Sequence, residues 1–173
     1  MNSKLRYKSA EEALQIIQSG NRVFVQGNAA TPIYLLNKLA ERANELHDVE
    51  LVMLGVFGNI ELIKPNYTKS FRINSLFISE VVRKAVNENR ADYIPVFLSE
   101  IPELFKWNIL PLDVAIVHVS VPDKHGYCSL GVSVDIARSA VDSAKHVIAQ
   151  VNPKMPRTHG DGMMHISAFD SLV

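Results

Sequence analysis

The sequence has little of what would assign it to a specialised class of protein. It contains a single cysteine, Cys128, so no disulfide framework can form within the chain. Its 18 basic and 18 acidic side chains give a formal net charge of zero, and the absence of a long Lys/Arg run argues against a dedicated nucleic-acid binder. No apolar run approaches the ~20 residues that span a bilayer, and the opening MNSKLRYKSAEE lacks the apolar segment of a signal peptide. We therefore expect a globular protein of the cytoplasm, without membrane or nucleic-acid partners.

The sequence does contain enough apolar material for one large core. Of its 173 residues, 47% are hydrophobic, and a chain of this length buries roughly 70% of the surface that it exposes when unfolded. The ordinary apolar content and the absence of net charge exclude intrinsic disorder. Since no repeat, low-complexity tract or linker divides the sequence, we expect one α/β domain over residues 1–173.

Strand and helix patterns alternate along the chain. Short runs of apolar and β-branched residues predict strands at 22–26, 49–55, 73–78, 93–97, 114–119, 147–151 and 164–169. Apolar residues at helical spacing lie between them, with Ser9 and Glu12 as a capping box and Thr31, Ser79 and Ser133 as further N-caps. Strands that are apolar on both faces are typical of an open, mainly parallel sheet with helices on both faces, a three-layer α/β/α fold.

The loops that follow the predicted strands are the expected place for a site, because open parallel sheets bind ligands beyond the carboxyl ends of their strands. These loops are 27–32, 55–66, 120–127 and 152–162, and they hold most of the Gly and Pro residues. The first loop leads into a helix N-terminus and predicts free amides for an anion or oxyanion. It has one glycine, Gly27, so it is neither a P-loop nor a dinucleotide fingerprint. A tight turn that needs one glycine is an equal alternative.

The loop at 152–162 contains the richest polar cluster. Pro153 and Pro156 hold it extended, and the planar guanidinium of Arg157 matches a carboxylate or a phosphate. An Arg157 that bonds carbonyls of the loops themselves fits the sequence equally well.

Two other chemistries fit the sequence less well. His159, Asp161 and His165 match no zinc spacing, so no metal site is predicted. Cys128, with His125 as a base, has no identifiable residue to orient that base, and a lone cysteine usually packs as a small hydrophobe. No carboxylate pair stands out either. His118, inside an apolar strand, is predicted to be a hydrogen-bonded core histidine.

Several long motifs resemble one known family. They are RKAVNE at 83–88, ADYIPVFLSEIP at 91–102, VPDKHGYCSLG at 121–131, VNPKMPRTHG at 151–160 and HIS at 165–167. Over residues 9–172 the chain resembles the acetyl-CoA hydrolase/transferase family, and most of all its 4-hydroxybutyrate and acetate CoA-transferases. It departs from the family pattern at Val121, where relatives commonly carry proline, and at Asn89, where many carry glycine.

The resemblance implies a longer enzyme with two similar α/β domains, of which this chain is the N-terminal one. The apolar end of the chain, directly after a predicted strand, likewise predicts a longer polypeptide. In this family a glutamate attacks the acyl-CoA thioester, giving an acyl-glutamyl anhydride and then a glutamyl-CoA thioester. That glutamate lies in the C-terminal domain. No catalytic residue is therefore assigned here, since the nucleophile motif includes none of Glu61, Glu80, Glu88, Glu100 and Glu103.

The resemblance also implies partners and site residues. The expected partners are acyl-CoA, a short carboxylic acid and the C-terminal domain, and members of the family commonly form homodimers. The resemblance implies no metal, and CoA takes part as a substrate rather than as a cofactor. The N-terminal domain lines the cleft. The residues expected to bind substrate or CoA are Gly27, Asn28, Ala29, Thr31, Pro32, Pro156, Arg157, Thr158 and Gly160.

Three other functions remain open on the sequence alone. They are an acetyl-CoA hydrolase, a non-catalytic small-molecule-binding module, and a complete small isomerase on a similar sheet. A sensor of the second kind carries a helix-turn-helix or a linker, and an isomerase carries its own acid/base pair in the loops. The sequence shows neither a helix-turn-helix or linker nor such an acid/base pair, which favours the CoA-transferase interpretation.

Overall fold

A computed structural model describes residues 7–173, and this part of the chain contains five α-helices and nine strands. The helices are α1 (Ala10–Leu14), α2 (Ile33–Ala40), α3 (Glu80–Asn87), α4 (Ile101–Lys106) and α5 (Ala137–Ser143). The strands are β1 (Arg22–Val25), β2 (Val49–Met53), β3 (Phe71–Ser75), β4 (Ala91–Tyr93), β5 (Val114–Ser120), β6 (Tyr127–Ser129), β7 (His146–Asn152), β8 (Met163–His165) and β9 (Ser171–Leu172). None of the helices in this range is long and apolar enough to cross a bilayer.

Seven strands form one open sheet in the order β4-β3-β2-β1-β5-β7-β9, and all of its pairings are parallel. In this register Val25 lies beside Met53 of β2 on one side and Ile116 of β5 on the other. The strand order reverses at this point, since β2, β3 and β4 extend to one side of β1 and β5, β7 and β9 to the other. The predicted parallel sheet is confirmed.

Helices cover both faces of the sheet. On one face, α1, α2 and α3 pack through residues such as Leu14 and Leu36. On the other, α4 and α5 pack through Phe105 and Ala140, and the ring of Phe105 meets that of Phe24 edge-on with centroids 5.9 Å apart. Because successive side chains of a strand point to opposite faces, strands covered on both sides are apolar throughout. The three-layer α/β/α arrangement is confirmed.

The predicted last strand at 164–169 is only partly correct. Residues 163–165 form β8, which pairs antiparallel with β6 in a separate two-stranded ribbon. The chain then makes a short 3-10 helix at Ile166–Ala168 and returns to the main sheet as β9, beside β7. The sequence prediction lacks β6 and β9, because strands of two or three residues are too short to show a period.

The bounds of β3 and β4 differ from the prediction. Each strand begins two residues earlier than expected, at Phe71 and Ala91, and β4 ends at Tyr93. Pro95 has no amide hydrogen to donate to a ladder, so the pairing does not continue through it.

The capping box predicted at the start of α1 is confirmed. Ser9 Oγ accepts the amide of Glu12 at 3.1 Å, and the Glu12 carboxylate accepts the amide of Ser9 at 3.0 Å. Ser79 is the residue before α3, as predicted, but its side chain makes no capping hydrogen bond. Its hydroxyl instead accepts the amide of Val56 at 3.4 Å, which attaches α3 to the loop after β2.

Candidate functional site

The candidate site lies at the carboxyl edge of the sheet. Because β1, β2, β5 and β7 are parallel, the segments that follow them emerge at the same edge. Arg157 Nη2, after β7, donates to Asp123 Oδ2, after β5, at 2.6 Å. Asn28 Nδ2, after β1, donates at 2.9 Å to Asp135 Oδ2, which follows β6 at the same edge. The predicted gathering of loops 27–32, 120–127 and 152–162 is therefore confirmed.

Two glycines lie against each other where β1 and β2 end. The amide of Asn28 donates to the carbonyl of Gly55 at 2.6 Å, and a Cβ on Gly27 would overlap that carbonyl oxygen. A Cβ on Gly55 would make only ordinary contacts, at 3.4 Å or more. Asn28 has a φ of +53°, in the left-handed region that asparagine tolerates. Gly27 is therefore required by the close approach of two backbones, which matches the tight-turn alternative.

The turn after β1 presents fewer free amides than the sequence predicts. The amides of Ala30 and Thr31 donate to the carbonyls of Gly27 and Asn28, each at 3.2 Å, and the amide of Asn28 is taken by Gly55. The expectation of a row of free donors for an oxyanion is wrong for these three amides. The physical reason is that so short a connection folds back onto its own carbonyls and onto the neighbouring turn.

Thr31 holds the turn together rather than capping α2. Its Oγ1 donates to the carbonyl of Asn28 at 2.7 Å and accepts the amide of Phe57 at 3.2 Å. Pro32 occupies the N-cap position, where no side chain makes a capping hydrogen bond. The predicted cap at Thr31 is thus wrong, because its hydroxyl is used in linking the turn to the loop after β2. Ala29 is the exposed apex of the turn.

Gln26 closes the gap where the strand order reverses. Open α/β sheets bind ligands in the crevice at such a reversal. Here the buried Gln26 side chain accepts the amide of His118 at 2.7 Å and donates to the carbonyls of Leu130 and Ser133 at 3.1 and 2.7 Å. Segment 130–135 of the chain itself therefore lies at the crevice between β1 and β5. The only sequence signal for Gln26 is a polar residue at the end of an apolar strand.

Segment 130–135 also brings a carboxylate to the turn. Asp135 accepts the side-chain amide of Asn28, and both residues have positive φ, +33° and +53°. The sequence predicts a helix from 134 that is capped by Ser133, but α5 begins at Ala137, since the left-handed backbone at Asp135 interrupts a helix. Strained non-glycine backbone of this kind clusters at functional sites. Asp135 is a residue of the candidate site that the sequence pattern did not reveal.

Thr158 ties the loop at 153–162 to the segment after β6. Its amide donates to Ser129 Oγ at 3.0 Å, and its hydroxyl donates to the carbonyl of Gly131 at 2.9 Å. Pro156 and Gly160 are exposed in the same loop, and Gly160 has a φ of +92°. The hydrogen-bonding groups of Thr158 thus serve the loop, and ligand contacts by these three residues stay a prediction.

The guanidinium of Arg157 is engaged by protein groups. Nη2 donates to Asp123 Oδ2 at 2.6 Å, and Nη1 donates to the carbonyl of Tyr127 at 3.0 Å. Asp123 also accepts the amides of Tyr127 and His125, and the bond from Tyr127 is the largest cause of the lowered pKa of its carboxyl group. These contacts match the alternative in which Arg157 bonds groups of the loops themselves. Its contact with a carboxylate or phosphate ligand stays a prediction.

Replacing Arg157 by Ala in the full-length protein separates its two possible roles. From its contacts we expect a lower Tm with kcat/KM little changed, because an ion pair and a bond to a carbonyl between two loops are lost. Differential scanning calorimetry and steady-state kinetics measure the two effects, with the exposed Lys154→Ala of the same loop as a control. A fall in kcat/KM of about ten- to a hundredfold at unchanged Tm, typical of losing a charged hydrogen bond in the transition state, would contradict this expectation.

An open cavity of about 360 Å³ lies beside the Gly27–Gly55 contact. Its apolar wall includes Phe57, Phe77 and Leu98, which are 43–53% exposed although they are large and apolar. Mostly apolar walls with a few polar groups are typical of small-ligand sites. Asn28 is the one lining residue that was predicted individually to bind substrate, and Gly55 and Phe57 lie in the loop at 55–66 that was predicted to border the site. The lining residues are Asn28, Leu54, Gly55, Phe57, Phe77, Ile78, Ser79 and Leu98.

The structure shows the surroundings of Cys128 and of the histidines that were considered for a nucleophile or a metal site. Cys128 is buried, and burial is the main reason that the pKa of its thiol rises to about 11, so it is protonated at neutral pH. Within residues 7–173 no group of three or more His, Cys, Asp or Glu side chains is placed to hold a metal ion. His165 instead bonds Ser167 Oγ through Nδ1 at 2.8 Å and packs edge-on against Tyr127.

Comparison with known proteins gives the chain a family. Residues 2–173 match the acetyl-CoA hydrolase/transferase N-terminal domain. The chain is 43% identical over 170 residues to a 4-hydroxybutyrate coenzyme A transferase of Clostridium kluyveri, covering 98% of this chain and 40% of that protein. It is 42% identical to a succinyl-CoA:acetate/propanoyl-CoA:succinate CoA transferase of Fasciola hepatica, covering 92% of this chain and 33% of that one. The chain thus spans well under half the length of these relatives.

Solved structures agree with the sequence comparison. The fold superimposes on RipA from Yersinia pestis with a TM-score of 0.87 at 28% identity, covering 96% of this chain and 41% of that one. It superimposes on a 4-hydroxybutyrate CoA-transferase from Porphyromonas gingivalis with a TM-score of 0.76 at 28% identity, covering 97% and 38%. The family match over nearly the whole sequence and the shared fold lead to one conclusion: this chain belongs to the acetyl-CoA hydrolase/transferase family, in its N-terminal domain.

Proposed function

We propose that this chain is the N-terminal domain of a longer cytoplasmic CoA-transferase, which moves CoA between an acyl-CoA and a short carboxylic acid. The observation that carries the proposal is the 43% identity to a 4-hydroxybutyrate CoA transferase over 98% of the chain. Other relatives are named for succinate with acetate or propanoate, and for butyrate with acetate. We take short aliphatic carboxylates as the substrate class, with 4-hydroxybutyrate and acetate as the first acids to test.

The covalent step belongs, in this proposal, to a glutamate outside residues 1–173. A carboxylate attacks the thioester carbonyl and CoA leaves as the thiolate, giving an acyl-glutamyl anhydride; CoA thiolate then attacks the glutamyl carbonyl and releases the carboxylate of the first acid. The acceptor acid enters by the reverse of these two steps. A carboxylate is a weak nucleophile in water, so the reaction needs orientation and stabilisation of the oxyanion in a closed cleft. The N-terminal domain supplies one wall of that cleft.

We infer that the acyl chain of the substrate lies in the cavity beside the Gly27–Gly55 contact. Phe57, Phe77 and Leu98 offer it an apolar wall that is open to solvent in this chain. Asn28 and Ser79 bring polar groups to the same cavity, and Asn28 is held by Asp135. An apolar wall with two polar residues suits a short acid that carries a terminal hydroxyl.

The function is tested on the full-length protein with acetyl-CoA and 4-hydroxybutyrate. We expect chromatography to show a new acyl-CoA that appears at the same rate as acetyl-CoA disappears. Release of free CoA without a new thioester would identify the protein as an acetyl-CoA hydrolase, the other activity in the family description. Binding of acyl-CoA with neither product would support the non-catalytic module.

The cavity is tested by Leu98→Ala in the full-length protein, with Phe97→Ala as the matched control. Phe97 is 75% exposed and does not line the cavity, whereas Leu98 does. Apolar contact is worth about 0.8 kcal/mol per buried methylene. We therefore expect Leu98→Ala, with contact to one methylene lost, to lower kcat/KM for 4-hydroxybutyrate relative to acetate by about fourfold. Equal ratios in the two variants and the wild type would show that the acyl chain binds elsewhere.

A further inference from the structure

The buried His118 pairs with the half-buried Gln150 beneath the turn at 27–32. The two residues are neighbours in register on β5 and β7, and His118 Nε2 lies 3.2 Å from Gln150 Nε2. Gln150 Oε1 accepts the amide of Leu35 in the first turn of α2 at 3.3 Å. Amides of a first helical turn have no partner within the helix, so Gln150 satisfies one of these donors and links the sheet to α2.

These contacts determine which nitrogen of His118 carries the proton. The Gln150 amide is oriented by Leu35, because its oxygen faces that amide hydrogen and its NH2 group therefore faces His118. Nε2 must then accept, and the neutral ring carries its hydrogen on Nδ1. Nδ1 is buried and, among the residues that the structure describes, has no hydrogen-bond partner within bonding distance and angle. The ring lies close to the backbone of Ala30 and Thr31.

His118 is also held through its main chain. Its amide donates to Gln26 Oε1 at 2.7 Å, on the strand that leads into the turn. The residue therefore contacts Gln26 directly after β1, the backbone of the turn itself, and α2 after it by way of Gln150. The side chains of the pair thus contact the turn and the start of α2, and the main chain of His118 contacts the residue just before the turn.

We propose that His118 and Gln150 are positioning residues, whose neutral pair holds the 27–32 turn and the first turn of α2 in the geometry that the site uses. The role of the pair in catalysis rests on the proposed function, whereas its effect on the turn does not. Neither residue touches the cavity, so both act on the substrate through the position of Asn28 and Gly27.

The pair is complete only while His118 is uncharged. Protonation places a hydrogen on Nε2, opposite the NH2 group of Gln150, and rotating that amide would turn its NH2 group towards the amide of Leu35. In both arrangements two donors face each other. Burial is the largest cause of the lowered pKa of His118, and its contacts with the backbone of Ala30 and Thr31 act in the opposite direction. Within residues 7–173, neither β7, α2 nor the turn adds an ionised side chain to these causes.

The lowered pKa of His118 determines in which direction the stability of the fold changes with pH. Above the unfolded-state pKa of about 6.5 the neutral ring is favoured in both states, so the pair is intact. As the pH falls from there through the lower folded-state pKa, the unfolded chain binds more protons than the folded one, and stability decreases. We expect hydrogen exchange of residues 27–36, corrected for the intrinsic pH dependence of exchange, to accelerate over the same interval.

Gln150→Glu in the full-length protein is the sharpest test. A carboxylate accepts both the amide of Leu35 and the hydrogen on Nε2 of a protonated ring, so the variant should raise the pKa of His118 above its usual value. NMR titration of the histidine ring protons measures this pKa. We expect the acid-side loss of kcat/KM and of exchange protection, present in the wild type, to be absent from this variant.

Gln150→Leu covers the case in which the glutamate variant does not fold. It removes both hydrogen bonds, and we expect residues 27–36 to exchange about fivefold faster at neutral pH, with an increase in KM larger than the fall in kcat. His146→Gln, at the exposed start of β7, is the matched control and should change none of these quantities.

Two results would overturn the positioning role. One is exchange of residues 27–36 in Gln150→Leu that equals the wild-type rate. The other is a His118 pKa, or an acid limb of the exchange profile, that is the same in Gln150→Glu and the wild type. If the protein transfers no CoA but exchange and titration behave as expected, the proposed function fails and the positioning of the turn stands. If CoA is transferred and neither variant changes exchange, titration or kinetics, the proposed function stands and the positioning role fails.

Discussion

The 173-residue chain on its own is expected to transfer no CoA. The proposed nucleophile is a glutamate outside the chain, and covalent catalysis without its nucleophile loses the whole two-step route. Two of the glutamates outside the nucleophile motif are already engaged by cations. Glu61 and Glu88 are ion-paired with Lys64 and Arg90. The cavity is open to solvent, so a carboxylate placed beside it would remain hydrated and poorly oriented.

The assay for the isolated chain uses acetyl-CoA and 4-hydroxybutyrate, with the full-length protein as the positive control. Chromatography follows any new acyl-CoA, and intact mass reveals any covalent CoA adduct. We expect no turnover, no adduct, and at most weak binding, because roughly half of the contact surface is missing while the entropy of ordering the ligand must still be overcome. Transfer above background, or an adduct on a glutamate, would contradict a catalytically incomplete domain. Glu80 and Glu100 would then be the first candidates.

Gly27→Ala is expected to be the most damaging single substitution at the site. The added methyl group would overlap the carbonyl oxygen of Gly55, and neither backbone can move without breaking the bond from the amide of Asn28 to that carbonyl. Overpacking of this kind lowers the free energy of unfolding by about 1–3 kcal/mol. A displacement of the turn by about 1 Å can lower kcat by about a hundredfold.

Gly55→Ala is the matched control for this substitution. It adds the same methyl group on the other side of the same contact, but that carbon meets Asn28 Oδ1 at 3.4 Å and Ser79 Cβ at 3.7 Å, which are ordinary distances. Urea unfolding and steady-state kinetics of the full-length protein measure both variants. Because Gly55 also lines the cavity, the comparison rests on stability: similar free energies of unfolding for Gly27→Ala and Gly55→Ala would show that the close approach does not constrain the turn.

Local patterns in the sequence were enough to predict the layers of the fold. Continuous apolar runs such as those of β5 and β7 indicate strands buried on both faces, because only a sheet covered by helices on both sides excludes water from every side chain. The capping box at Ser9 and Glu12 is likewise local, since both of its bonds join residues three positions apart. The layers and this capping box depend on patterns among neighbours in sequence, and both were predicted correctly.

Predictions that needed a partner far away in sequence were less successful. Thr31 and Ser133 have the residue type of an N-cap, but the hydroxyl of Thr31 bonds Phe57, 26 residues away, and Ser133 lies before a left-handed Asp135. Arg157 has the residue type of an anion binder, but Asp123 lies 34 residues away in sequence and 2.6 Å away in space. Residue type and spacing do not specify such partners.

The sequence by itself determined the parallel α/β/α architecture, the edge of the sheet at which the loops meet, and the family motifs. Only the tertiary structure decided what occupies that edge. Gln26 brings the segment at 130–135 to the crevice between β1 and β5, and the remaining space opens towards Phe57 and Leu98. The physical reason is range: a strand or helix is specified by periodicity over a few neighbouring residues, whereas a cavity is the space left between side chains from many distant segments.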